Sequence, residues 1–269
     1  MANVNTAELE VKVREMYRNV AQEPNGNYHF ELGQPLAKRL GYPTDMLDRL
    51  PFEAVESFAG VGYFFDLADL VEGERVIDLG SGSGMDAFAA AHLVGPSGRV
   101  LGVDFTIEQL AKARRLAAAE GVNQVEFVEG RIENLPVDDG SFDCVISNGV
   151  INLSPQKERV FAEAARVLRP GGRLAIADIV AELQLTDAIV SNADLWASCI
   201  GGAAQQDSHR HAIEAAGMRV EAIRRNLYEF ISEQARNASA KYGVKSVSVL
   251  AVKPAQAPGQ GPVTDMSRP

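Results

Sequence analysis

Three glycines at alternate positions, Gly80, Gly82 and Gly84, break the stretch VIDLGSGSGMDAF between an apolar run and a helical one. A strand that turns straight into a helix reverses within a few residues, and bare backbone there lets a ligand reach the helix N-terminus. The next apolar run, RVLGVD, ends in Asp104, a carboxylate able to accept both hydroxyls of a ribose. A ligand-free tight turn and a helix-capping Asp104 are the plain alternatives for the two features. Together they indicate a nucleoside cofactor. The dinucleotide pattern G-x-G-x-x-G wants its third glycine where this chain has Met85, so the loop departs from the form that seats a pyrophosphate.

Acid–base candidates are few. His29 in NYHFELG comes first, followed by His209, His211 and Asp194. His209 and His211 stand two apart and so project from different sides of a helix. His92, on the helix after the glycine loop, is expected to pack. Four histidines without HExxH spacing and two distant cysteines, Cys144 and Cys199, provide neither a metal site nor a disulfide framework. Cys144 lies within a strand pattern and is expected in the core, and Cys199 reads as either a small buried hydrophobe or a working thiol.

The elements that must hold these residues follow from periodicity. From Arg75 the runs RVIDL, RVLGVD, QVEFVE and FDCVIS alternate with the helical DAFAAAHLV and IEQLAKARRLAAAEG, which predicts βαβ units and a mostly parallel sheet covered on both faces. A helix over 107–120 has Thr106 to cap it, Glu108 in its first turn and Gly121 to stop it. A helix over about 155–168, an RPGG turn and the strand RLAIADIV come next. A helical insertion over about 185–216 precedes two last strand candidates, RVEAIRRNLYEF and VKSVSVLAVKP. Residues 1–70 read as a helical cap or lid, 71–254 as the cofactor-binding domain and 255–269, rich in Pro, Gly and Gln, as an unstructured tail.

A net charge of −10 with no basic block argues against nucleic acid or an anionic membrane as the main partner. No apolar run reaches the ~18 residues of a membrane span, and the N-terminus lacks a secretory core. The expectation is a cytoplasmic chain with a small-molecule substrate, no nucleic-acid or membrane partner, and a homodimer left open.

The ordered landmarks DLGSGSG, VDFT, EGRIENLP, FDCVISN and LRPGGRL resemble the class I S-adenosylmethionine-dependent methyltransferases. The resemblance implies an α/β, Rossmann-like fold: a seven-stranded, mostly parallel sheet with helices on both faces, an N-terminal helical cap and an insertion after the fifth strand. It implies S-adenosylmethionine as cofactor, with Gly80, Ser81, Gly82 and Gly84 under its methionyl part and Asp78 toward its ammonium. Asp104 would hold the ribose, Phe105, Arg131, Ile132 and Glu133 the adenine, and Asn148 would stand where the methyl group meets the substrate. ISNGVINLSPQKERVFAEAARVLRPGGRLAIADIV, LWASCIGGA and LPFEAVESFAGVG narrow the resemblance to the arsenite methyltransferases, in which three cysteine thiolates bind arsenic(III). Here Cys199 occupies the third of those positions, and Val61 and Gly149 occupy the other two.

One thiol cannot make a three-sulfur site. The expected reaction is therefore methylation of a small-molecule acceptor in a refitted pocket, with Tyr28, Val61, Tyr63, Gly149, Asn152, Trp196 and Cys199 as substrate-binding candidates and His29, Asn148 and Cys199 as catalytic ones. Phe64 and Phe65 belong to the same apolar lining. Arsenite methylation through Cys199, an NAD-dependent oxidoreductase and a non-catalytic cofactor-binding protein remain as alternatives.

Overall fold

The computed structural model describes residues 4–197 and 199–255. Five helices precede the sheet: α1 Thr6–Gln22, α2 Gly33–Leu40, α3 Thr44–Leu47, α4 Phe52–Glu56 and α5 Phe65–Ala68. The alternating part runs β1 Arg75–Leu79, α6 Met85–Val94, β2 Arg99–Asp104, α7 Ile107–Glu120, β3 Val125–Glu129, β4 Phe142–Asn148, α8 Lys157–Val167 and β5 Leu168–Ala181. The chain closes with α9 Asp187–Val190, α10 Ala193–Ala197, β6 Ala204–Gln205, α11 Gln206–Ala215, β7 Arg219–Arg225, α12 Glu233–Tyr242 and β8 Lys245–Val252.

The main strand order is β3-β2-β1-β4-β5-β8-β7, and the two-residue β6 pairs with β5 as an eighth strand. β1 to β5 are parallel, and β8 runs antiparallel to both β5 and β7. The order reverses between β1 and β4, so their carboxyl ends open the crevice in which doubly wound sheets bind ligands. Gly80 and Asn148 stand at those two ends. One sheet face packs on α6, α7 and the N-terminal helices through residues such as Val76, Ile146 and Ala177, and the other packs on α8 and α11 through Ile77, Val145 and Ile176. Alternating residues of each strand thus enter different cores, which is why the parallel strands read as unbroken apolar runs.

α7 has the predicted bounds. Gly121 ends it in the left-handed region at φ 65°, while Thr106 makes no side-chain cap bond. RPGG is not a turn between elements: β5 runs through it, and Phe142 pairs with Leu168 while Cys144 pairs with Arg173. This bulge, with Gly171 at φ 80°, absorbs three extra residues within one strand. β7 ends at Arg225, short of the predicted run to Phe230, and α12 occupies the stretch between the two last strand candidates to which the sequence assigned no element. α11, at the end of the expected insertion, buries His209 and Ile213 against the sheet layer. The tail beyond residue 255 lies outside the described residues.

The N-terminal helices are tied to the sheet at buried points. Arg173 on β5 donates through Nη1 and Nη2 to the two carboxylate oxygens of Glu74 at 2.7 and 2.6 Å and, through Nη2, to the carbonyl of Asp69 at 3.0 Å. Gln109 on α7 donates to the Tyr17 carbonyl, and Lys112 to the Ala21 carbonyl. The Arg173–Glu74 side chains are only 17% and 10% exposed, so removing one partner strands the other charge. Glu74→Ala is therefore expected to lower unfolding stability by about 3 kcal/mol, read by urea denaturation, with most of that loss already present in Arg173→Ala and little added in the double variant.

Candidate active site

A cavity of about 270 Å3 opens at the switch point. Its floor is the β1–α6 loop, its sides are the ends of β2, β3 and β4, and its roof is one face of α1 with the segment 57–60. Gly80 and Gly84 are forced by the protein rather than by a ligand. A Cβ on Gly80 would lie 2.5 Å from Val150, one on Gly84 would lie 2.7 Å from Phe127, and both residues have positive φ. Gly82, at φ 54°, meets nothing closer than Gln109 at 3.7 Å.

Three carboxylates meet around this loop, and each is buried. Asp104 accepts from the Gly82 amide at 2.9 Å and the Thr106 amide at 2.7 Å. Burial raises its pKa while those N–H groups pull it back. Asp86, in the first turn of α6, accepts from the Tyr42 hydroxyl at 2.5 Å and the Asn148 amide at 2.9 Å. Burial again raises it against those two bonds. Asp78 is pushed up by burial, then by Asp86 and Asp104, and its Oδ2 has no partner among the described residues, as is true of Ser81 Oγ. Buried polar atoms without partners are rare and call for an explanation, of which a bound ligand is one.

The remaining predicted cofactor residues also reach the cavity. Phe105, Arg131, Ile132, Glu133 and Asn148 line it. Arg131 pairs with Glu10 of α1, Arg14 of the same helix stands 5.2 Å from the Phe105 ring centroid, and Ser154 donates to Glu133 at 2.5 Å. The end of β3 is thereby joined to the roof.

The predicted substrate residues do not form one lining. Val61 packs on Gly149, where a Cβ would lie 3.1 Å from its methyl, and Tyr63 stacks edge-on to Tyr42 at 4.9 Å. Asn152 donates to the Cys199 carbonyl at 3.3 Å, and Trp196 Nε1 donates to the Val190 carbonyl at 2.6 Å. Phe64 and Phe65 are core. Tyr28 donates to the Glu23 carbonyl at 2.8 Å. None of these residues lines the described cavity. Cys199 is buried in a left-handed conformation, φ 60°, and burial pushes its thiol up to about 11.

No histidine lines the cavity either. His29 packs edge-on to Phe30 at 4.7 Å, so the geometry does not place it as a base. His211 and His92 are exposed, and Arg49 contacts His92 at 2.8 Å, which corrects the expected packing role. Asp194 on α10 is paired with Lys12 of α1. Cys144 is buried in β4 with its thiol pushed up to about 12 by burial. His209 lies against Phe161 at 5.1 Å, and neither ring nitrogen has a described partner.

Sequence reasoning missed Asp86, Tyr42, Glu10 and Tyr17. The available signal for Asp86 was its place in the first turn of a helix apolar on nearly every side, since a carboxylate there must be buried with the helix.

The architecture is that of the Rossmann-like class I methyltransferases, which use S-adenosylmethionine. A methyltransferase-domain family model matches residues 70–217, and the chain belongs to that family. Its relatives narrow the branch. It is 39% identical over 222 residues to an arsenite methyltransferase of Halobacterium salinarum, covering 82% of this chain and 56% of that one. It is 45% identical over 155 residues to an arsenite methyltransferase of Aquipseudomonas alcaligenes, covering 55% of this chain and 45% of that one. The crystal structure of an arsenic(III) S-adenosylmethionine methyltransferase from Chlamydomonas reinhardtii is 31% identical with a TM-score of 0.62, covering 85% of this chain and 75% of that one. The chain spans about half the length of the curated relatives it matches. Among the described residues no helix is long and apolar enough to cross a membrane.

Burial lowers His209 to about 4. A histidine depressed in the fold contributes stability above its ordinary value near 6.5, and that contribution is lost as pH falls toward 4. His209→Leu should therefore gain on the wild type by on the order of 3 kcal/mol between pH 7 and pH 4, measured by urea unfolding at several pH values.

Proposed function

We propose that this chain is an S-adenosylmethionine-dependent methyltransferase acting on a small organic acceptor. One observation carries the reading. A cavity lined by Asp78, Asp86, Asp104 and Gly82 includes two buried atoms, Asp78 Oδ2 and Ser81 Oγ, that have no partner among the described residues. Such a site suits a ligand that brings positive charge and hydrogen-bond donors, and the donor's sulfonium and ammonium supply both. When bound, S-adenosylmethionine provides a methyl group already activated for transfer.

The reading assigns the ammonium end to Asp78 and Ser81, the ribose to Asp104 and the adenine to Phe105, Ile132, Glu133 and the Arg131 segment. The α1 roof and the 57–60 wall exclude water, and Asn148 orders the wall at the end of β4. What remains for the protein is placement of the acceptor in a dry site. The strongly negative net charge favours a small molecule over nucleic acid as that acceptor.

Arsenite methylation is the second reading, favoured by the named activity of the relatives and by a described lining without histidine, since a soft nucleophile needs no base. Cys199 would supply one sulfur, with thiol ligands already on the arsenic for the rest.

Calorimetric titration should show binding of S-adenosylhomocysteine and none of NAD. Asp104→Ala should weaken that binding by ~1.5–3 kcal/mol; unchanged affinity would reject its ribose role. Cys199→Ser separates the acceptor readings: it should abolish methyl transfer to arsenite in the presence of glutathione and leave transfer to an organic acceptor intact.

A further inference from the structure

We propose that Asp86 is the positioning residue of the donor site, anchoring to α6 the Asn148 amide and, through it, the wall that runs from Gly60 to Gly62. The inference rests on the donor-binding reading above for its purpose but on hydrogen-bond geometry for its mechanism. An ionised carboxylate only accepts hydrogen bonds. Asp86 Oδ2 therefore requires the amino end of Asn148, which it receives at 2.9 Å, and that same Nδ2 reaches the Gly62 carbonyl at 3.0 Å and the Tyr42 oxygen at 3.1 Å. The opposite end of the amide is thereby committed. Asn148 Oδ1 accepts from the Val61 amide at 2.7 Å and the Gly62 amide at 3.2 Å. The Val61 and Gly62 N–H groups and the Gly62 carbonyl require the same orientation of the amide, and the carboxylate ties the amide so oriented to α6.

The wall can rest in only one place. On its far side Ser246 donates to the Val61 carbonyl at 2.6 Å and Ser248 to the Tyr63 carbonyl at 3.0 Å. Gly62 has no room for a side chain, since a Cβ there would stand 2.7 Å from that of Ala177. Gly60, at the near end of this segment, lines the cavity together with Asn148 and Asp86. A turned amide would face the Val61 and Gly62 N–H groups with its own donors, and the wall would have to move into the cavity or away from it.

The titratable groups facing Asp86 are Tyr42 and Tyr63 from the N-terminal segment and Asp78 from β1. None of these is cationic. Burial raises the Asp86 carboxyl to about 6, against the pull of Tyr42 and Asn148. Below that pH one of its oxygens becomes a donor, and one of the two groups that donate to it loses its acceptor. The tie between the amide and α6 is then weakened, while the amide keeps its bonds to the backbone of Val61 and Gly62.

The test compares the full-length wild type with Asp86→Asn and Tyr42→Phe by amide hydrogen exchange over residues 59–63, corrected for the intrinsic pH dependence of exchange, and by calorimetry with S-adenosylhomocysteine. Wild type should protect the Val61 and Gly62 amides at neutral pH and lose part of that protection as pH falls through about 6. Asp86→Asn should exchange faster than wild type at neutral pH, show no step near pH 6, and bind S-adenosylhomocysteine roughly tenfold more weakly, about one hydrogen bond's worth. Tyr42→Phe, which keeps the Asp86–Asn148 contact, should retain the protection. Full protection in Asp86→Asn, with the wild-type pH profile, overturns the proposal. Should that variant fail to fold, protection in wild type that stays constant from about pH 5 to about pH 8 overturns it equally. Absence of S-adenosylhomocysteine binding in wild type refutes the donor reading instead, and the exchange data still decide the part played by Asp86.

Discussion

Three carboxylates held out of water at one end of a sheet are the constraint around which this molecule is arranged. Desolvated carboxylates are costly unless hydrogen-bonded or neutralised, and each here is managed differently. Asp104 is met by backbone N–H groups of its own loop and of the glycine loop. Asp86 is met by Tyr42 and Asn148, which belong to elements far away in sequence. Asp78 lines the cavity and its buried Oδ2 has no partner among the described residues. The strand order concentrates them, because β1 and β2 deliver Asp78 and Asp104 to the carboxyl end of the sheet, beside the crevice that the reversal of order between β1 and β4 leaves open.

The N-terminal helices do more than cover that crevice. α1 contributes Glu10, which joins Arg131, and its Tyr17 carbonyl is held by Gln109, so the roof is attached to both the β3 end and α7. The segment after α4 is clamped between Asn148 and the two buried serines of β8. Sheet, roof and wall are therefore mechanically one site, although more than a hundred residues separate some of its parts. The contacts that make it so are neutral and charge-assisted hydrogen bonds in a low-dielectric setting, where loss of one partner is felt by the others.

Much of this was legible in the sequence, and for identifiable reasons. Strands buried on both faces appear as runs such as RVIDL and FDCVIS, and a helix like 107–120 carries its own stop signal in Gly121. The order of motifs then fixed the family. The RPGG segment misled because glycine and proline usually punctuate elements, whereas here Gly171 lets β5 bulge and continue. α12 was missed because EQARNASAKY is polar and short, and its helical state depends on packing Ala235, Ala238 and Tyr242. His29 was a reasonable base by residue type, but which way an N-terminal segment faces is decided by tertiary packing. The substrate candidates scattered because Val61 with Gly149, and Asn152 with Cys199, settle in separate packing environments, which motif order alone does not reveal.

The central claim is that the Asp78 oxygen left without a partner among the described residues and its carboxylate neighbours form the receptor for a cationic nucleoside donor. A crystal structure of the full-length protein grown with S-adenosylhomocysteine tests it most directly. The account predicts the amino-acid ammonium on Asp78 Oδ2 and Ser81 Oγ, with the ribose hydroxyls on Asp104. Ligand density elsewhere, or a ligand in the cavity whose ammonium leaves Asp78 without a partner, would contradict it.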